Sequence, residues 1–213
     1  MMKKKIDFTL IISTILCLSP IILGITLYDR LPDSVAIHFN VNNEPDNYVS
    51  KSFAVFALPA LMAALNIIVN IFLDNDPKKA HFSTRMRNLF KWFIPVLTIL
   101  LESMTLFIAI GVKIELSLYV PLFVSIIFIV IGNYLPKIKQ NYTMGIKLPW
   151  TLHSEENWNK THHLAGYLWM IGGVLMVISC FIGNISFPIS IIVILMLVII
   201  PIIYSYVLYK KGI

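Results

Sequence analysis

Six apolar stretches separated by short polar connections set the pattern of this chain. They cover Ile6–Tyr28, Phe53–Leu73, Trp92–Val112, Leu116–Tyr134, Leu164–Ile185 and Phe187–Leu208, and each is long enough to cross about 30 Å of hydrocarbon as a helix. No water inside lipid satisfies a bare N–H or C=O, so helix is the form expected of each. Pro20, Pro59, Pro95, Pro121 and Pro201 fall within these stretches or near their ends, where kinks are expected rather than boundaries. The pattern predicts an all-α integral membrane protein with six transmembrane helices, forming one polytopic domain over residues 1–213. A short ordered outer loop is expected between the first two helices.

Composition agrees. Of 213 residues, 58% are hydrophobic and 13% charged, far from the balance of a soluble domain. The net charge of +6 does not point to nucleic acid, because topology distributes the basic residues. With the N-terminus inside, the inner segments hold Lys3, Lys4, Lys5, Lys78, Lys79, Arg85, Arg87, Lys91, Lys137, Lys139, Lys147, Lys160, Lys210 and Lys211. The outer segments hold only Arg30, Lys51 and Lys113. The positive-inside rule therefore predicts cytoplasmic termini in the cell membrane, with inner loops at 74–91 and 136–163. The first apolar run is too long for a signal peptide and is read as an uncleaved helix. Cys17 and Cys180 lie in apolar runs and read as small buried hydrophobes.

Two loops carry information. The outer loop, 29–52, has strand-like Val35-Ala36-Ile37-His38-Phe39 and a turn signal at Asn42-Asn43 with Glu44-Pro45-Asp46. A hairpin is expected. Asp29, Asp33, Glu44 and Asp46 outweigh Arg30 and Lys51, and Phe39 and Tyr48 add aromatic surface, which suits a cationic or amphipathic peptide. The plainer reading is a solvated connector. In the inner loop 136–163, Pro149 restrains Leu148 and disfavours helix up to Trp150. Ser154 followed by Glu155 and Glu156 marks a helix N-terminus. A helix from there would place Trp158, His162 and Ala165 on one face and continue into the fifth span. Trp92, Trp150, Trp158 and Trp169 suit the inner lipid boundary, or else Trp150 and Trp158 pack a small loop core.

Two sets of residues resemble the SdpI family, membrane immunity proteins against the sporulation-delaying peptide toxin. The first is Leu31–Asn40 with Glu44-Pro45-Asp46 and Ser50-Lys51. The second is Gly132-Asn133, Asn141, Gly145-Ile146-Lys147 and Pro149-Trp150-Thr151-Leu152, with Trp158, Lys160-Thr161-His162 and Gly166. Ala36 stands where proline is usual, Asn43 where glycine is usual, and Lys147 and His163 where arginine is common. The resemblance implies protection against a secreted membrane-active peptide, and a second role in holding a cytoplasmic transcriptional repressor at the membrane. It assigns toxin recognition to Asp33, His38, Phe39, Glu44, Asp46 and Lys51. Inner-loop integrity or partner contact falls to Asn133, Asn141, Lys147, Pro149, Trp150, Thr151, Trp158 and His162.

Inside the spans, Glu102 is central to the third, where a charge costs roughly 2.5–3.5 kcal/mol on insertion scales. Asn66 and Asn70 share a face of the second span. These three could line the path of a small transporter, or make structural bonds between helices. His153, His162 and His163 with Glu155 and Glu156 match no standard metal spacing, and His38 is expected on the other side of the bilayer. No cofactor motif and no catalytic set is present, and none of the predicted spans contains a histidine. An enzyme built on the histidine loop is the weakest alternative.

Overall fold

The protein is described here by a computed structural model covering residues 8–40, 43–78, 84–182 and 186–213. Lys3, Lys4, Lys5, Lys79, Asn42, and the ends of the predicted spans at Ile6 and Ile185 lie outside the described residues. Six helices are long and apolar enough to span a membrane. Large apolar side chains stand exposed along them, as at Phe72 (64% exposed) and Ile203 (57%), which is how a surface meets lipid rather than water.

The chain divides into two compact units. The first holds residues up to 75 together with 84–114. Its opening span is broken into α1 (Phe8–Leu18) and α2 (Pro20–Leu27), because Pro20 has no N–H to continue the ladder. A hairpin of β1 (Ser34–Phe39) and β2 (Pro45–Ser50) follows, paired antiparallel from Ser34↔Ser50 to Phe39↔Pro45. A π-turn at Phe53–Ala57 leads into α3 (Leu58–Asn75), with Pro59 at its start. α4 (Thr84–Ala109) completes the unit. Leu31, Val55 and Leu106 are buried together, and Val35 is fully enclosed, so the hairpin base is anchored by apolar packing.

The second unit holds 76–83 and 115–213. α5 (Leu116–Tyr134) and α7 (Glu155–Ser179) approach so closely that a Cβ on Gly132 would meet the Met170 backbone nitrogen at 2.8 Å. α6 (Pro149–His153) is a short helix in the connecting loop, and α8 (Ser186–Lys210) packs on α7 through Leu197 against Gly172.

Three expectations change. Trp150 lies within α6: Leu148 is extended as its proline neighbour requires, but Pro149 then starts a helix, its missing N–H falling where none is needed. Pro45 and Asp46 belong to strand β2 rather than the turn, with proline tolerated as a first strand residue. The fourth and seventh helices begin earlier than their apolar runs, at Thr84 and Glu155. The second of these places His162 and His163 inside a spanning helix, contrary to the expectation of histidine-free spans.

Candidate functional site

The hairpin keeps its polar side chains at the surface. Lys51 Nζ sits 2.9 Å from Asp33 and 5.3 Å from the centre of the Tyr28 ring. The hydrogen bond that its ammonium donates to the Asp33 carboxylate holds the Lys51 pKa above the ordinary lysine range. His38 Nδ1 meets Asp46 Oδ1 at 2.5 Å across the strands. The turn is closed by Asn40: its side-chain oxygen accepts the Glu44 N–H at 3.0 Å, and its amide donates to Glu44 Oε2 at 3.1 Å. Asn43 stands at φ 62°, the left-handed region that glycine fills without strain. Phe39 is half-buried, while Glu44, Asp46 and Tyr48 are exposed. The hairpin thus brings together Asp33 with Lys51, and His38 with Asp46, on an anchored and acidic surface.

The loop after α5 is its opposite. Polar side chains turn inward and fix the backbone. Asn141, fully buried, accepts the N–H of Thr143 at 2.9 Å and of Met144 at 2.6 Å, and donates to the Lys139 carbonyl at 2.9 Å. Thr151 Oγ1 accepts the Leu148 N–H at 2.8 Å. Trp158 is buried, donates from Nε1 to the Ile138 carbonyl at 2.7 Å, and stacks on His162 with ring centres 4.0 Å apart. His162 Nδ1 meets the Trp158 carbonyl at 2.8 Å and must donate there. Its Nε2 accepts the Ile146 N–H at 2.9 Å, so the ring is the neutral Nδ1–H tautomer with both nitrogens used. Gly145 sits over this stack at φ 108°, where a Cβ would come within 2.4 Å of His162 Nε2. Ser154 caps α7 by accepting the Asn157 N–H at 3.1 Å, as its sequence position predicts.

Trp150 joins the same network from α6. Its Nε1 donates to Ser205 Oγ at 2.7 Å, Ser205 donates to Asn157 Oδ1 at 2.6 Å, and its ring stacks on Tyr209 at 5.6 Å. Pro149, Trp150, His153, Ser154 and Tyr209 form part of the wall of an open cavity of about 640 Å³. Trp150 and Trp158 therefore pack a loop core, the second of the two readings of these tryptophans. Asn133 and Lys147 do not join it. Both are exposed, Asn133 taking a bond from Lys137 and Lys147 reaching the Thr143 carbonyl.

Sequence reasoning missed several members. Gln140 donates to the carbonyls of Thr151 and Leu152, both at 2.9 Å, and accepts from Lys78. Asp76 accepts the Tyr142 N–H at 3.0 Å and the Thr143 hydroxyl. Ser205 is a fully buried partner of Trp150, and the fully buried Asn157 reaches that ring through Ser205. Only Asn157 carried a signal, lying three residues after the cap and four before Thr161.

Within the spans, Asn66 donates to Ser13 at 2.9 Å and Thr14 at 3.1 Å, and Asn70 donates to the Asn66 carbonyl at 2.8 Å. Asn66 thereby ties α3 to α1, while Asn70 bonds back within α3 and its buried Oδ1 is without a partner. Glu102 is also buried, but its Oε2 has no partner.

The chain is 30% identical to the immunity protein SdpI of Bacillus subtilis (strain 168) over 213 residues, covering 99% of this chain and 98% of that one. The chain belongs to the SdpI family. The SdpI/YfhL family model matches residues 137–205, the loop with α6, α7 and most of α8. A domain of unknown function, DUF1648, matches residues 15–63, which carry the hairpin. No solved structure matches the chain. In this SdpI-family member, a multi-pass membrane protein, the two matched segments are those whose geometry is described above.

Proposed function

We propose that this chain is a membrane immunity protein that protects its cell from a secreted membrane-active peptide, met at the hairpin. The observation carrying this reading is the 30% identity to an immunity protein along nearly the whole chain. Fourteen of 17 lysines and arginines fall on one side of the expected topology, which supports cytoplasmic termini and a hairpin facing outward. There Asp33, Glu44 and Asp46 offer carboxylates, His38 and Lys51 orient two of them, and Phe39 with Tyr48 supplies apolar contact. That combination complements a cationic, amphipathic peptide. The family resemblance adds a second role, retention of a cytoplasmic transcriptional repressor. The loop over 136–163 suits it, since its buried network fixes the backbone that carries the exposed Lys147, with Asn133 exposed near the end of α5. No enzymatic step is assigned.

Expression in a peptide-sensitive cell tests the main claim. Survival should rise under membrane-active peptides, and unchanged survival across a panel that includes the toxin the Bacillus relative's host secretes would sink it. Cysteines placed at 44 and at 147 should label from outside intact cells at 44 alone. Repressor retention is tested by co-purification of a transcription factor in membranes exposed to peptide, against unexposed ones.

A further inference from the structure

Glu102 lies midway along α4, 7% exposed, with Oε2 buried and unpartnered. An unpaired carboxylate at that depth is costly, and buried polar atoms of this kind are ordinarily satisfied. Hydroxyl and amide donors of the unit's spans are engaged elsewhere. Thr98, one turn away on the same face, bonds the Ile94 carbonyl at 2.8 Å. The Asn66 amide serves Ser13 and Thr14, and Asn70 serves Asn66. Ser13 donates to the Leu10 carbonyl at 3.0 Å.

No described cation stands within reach. The unit's other charged groups, among the described residues, sit toward its two ends. Asp74 with Arg87 and Lys91 form one cluster, Lys91 Nζ lying 2.8 Å from Asp74. Lys91 is eleven residues from Glu102, about 16 Å along a helix. At the other end are Tyr28, Asp29, Arg30 and the Asp33–Lys51 pair, with His38, Glu44 and Asp46 further along the hairpin. Among the described residues on the faces packed against the middle of α4, the titratable side chain is the Cys17 thiol, which Thr98 approaches at 3.9 Å.

We propose that Glu102 is an intramembrane proton-binding site. The proton on its carboxyl takes the place of the missing partner, and it exchanges with water. The site has a structural lever. Leu106, one turn further along α4, packs with Leu31 and with Val55 of the π-turn, the residues that anchor the hairpin. Loss of the proton would place a bare charge directly beneath that anchor, next to a π-turn, a type of backbone segment that recurs at functional positions. Proton occupancy at Glu102 and seating of the hairpin are therefore linked. This site does not depend on the immunity reading.

The test uses the full chain in lipid nanodiscs treated with dicyclohexylcarbodiimide, an apolar reagent that modifies protonated carboxyl groups. Peptide mass spectrometry should find the adduct on Glu102 at neutral pH, decreasing severalfold as the medium is made alkaline. Infrared spectra should show a protonated-carboxyl band that the Glu102→Gln protein lacks. Absence of the adduct at every pH, an adduct yield that does not change with pH, or an infrared band unaltered by Glu102→Gln each overturns the proposal. The labelling is read on the unmodified chain, so the outcome does not hinge on how well the variant folds.

Discussion

The hairpin and the loop after α5 use the same residue types for opposite ends. In the hairpin, aspartate, glutamate, histidine and asparagine stay at the surface, pairing locally across two strands, and only Leu31 and Val35 go inward. In the loop, asparagine, threonine, histidine and tryptophan are buried and spend nearly every hydrogen-bonding atom on backbone. A buried polar group is expensive to orphan, whereas an exposed one is nearly free to change. The loop's polar residues therefore specify shape, and the hairpin's remain available to something else.

The sharpest way to break this contrast is at Gly145. Gly145→Ala places a Cβ against His162 at a positive φ, and should destabilise the second unit by about 3 kcal/mol. Thermal unfolding in detergent reads it, and an unaltered midpoint would mean the loop is looser than described. Asn141→Ala comes next. It strips two buried N–H groups of their acceptor, for about 2 to 3 kcal/mol by the same measurement. On the hairpin the effect should move from stability to protection. Glu44→Gln with Asp46→Asn should leave the unfolding midpoint in place while lowering survival under peptide; the reverse pattern would make the hairpin structural. Lys51→Met should be smallest, releasing Asp33 with no change in the midpoint and a slight gain in affinity for cationic peptides, measured by binding to purified protein.

Much of this was visible in the order of residues. Apolar runs announced all six spans, since only helices satisfy their own backbone in lipid. Ser154 with two glutamates marked the start of α7, and the strand-like content from Val35 to Phe39, followed by turn residues, marked the hairpin. The helix starts at Thr84 and Glu155 were not visible. Arg85, Arg87 and Lys91 read as loop charge, yet a helix carries them without difficulty where its first turns leave the hydrocarbon and Asp74 stands opposite. The loop network was the hardest part. Asn141, Trp158 and His162 came from resemblance. Asp76 bonds Tyr142 across 66 residues, Gln140 bonds Lys78 across 62 and Ser205 bonds Trp150 across 55, and no local periodicity encodes such pairings. Glu102 stood out from the start as an acid in an apolar run, but its missing partner is a fact of packing alone.

The unbroken course of α7 has a mechanical result. From its cap at Ser154 it runs 25 residues, about 37 Å, and none of them is proline. Trp158 and His162 grip the loop at one end, and Gly166 and Gly173 lock the shaft against α5 further along. Whatever tugs on the loop is thus handed undiminished to the middle of the second unit, with no joint in between to absorb it.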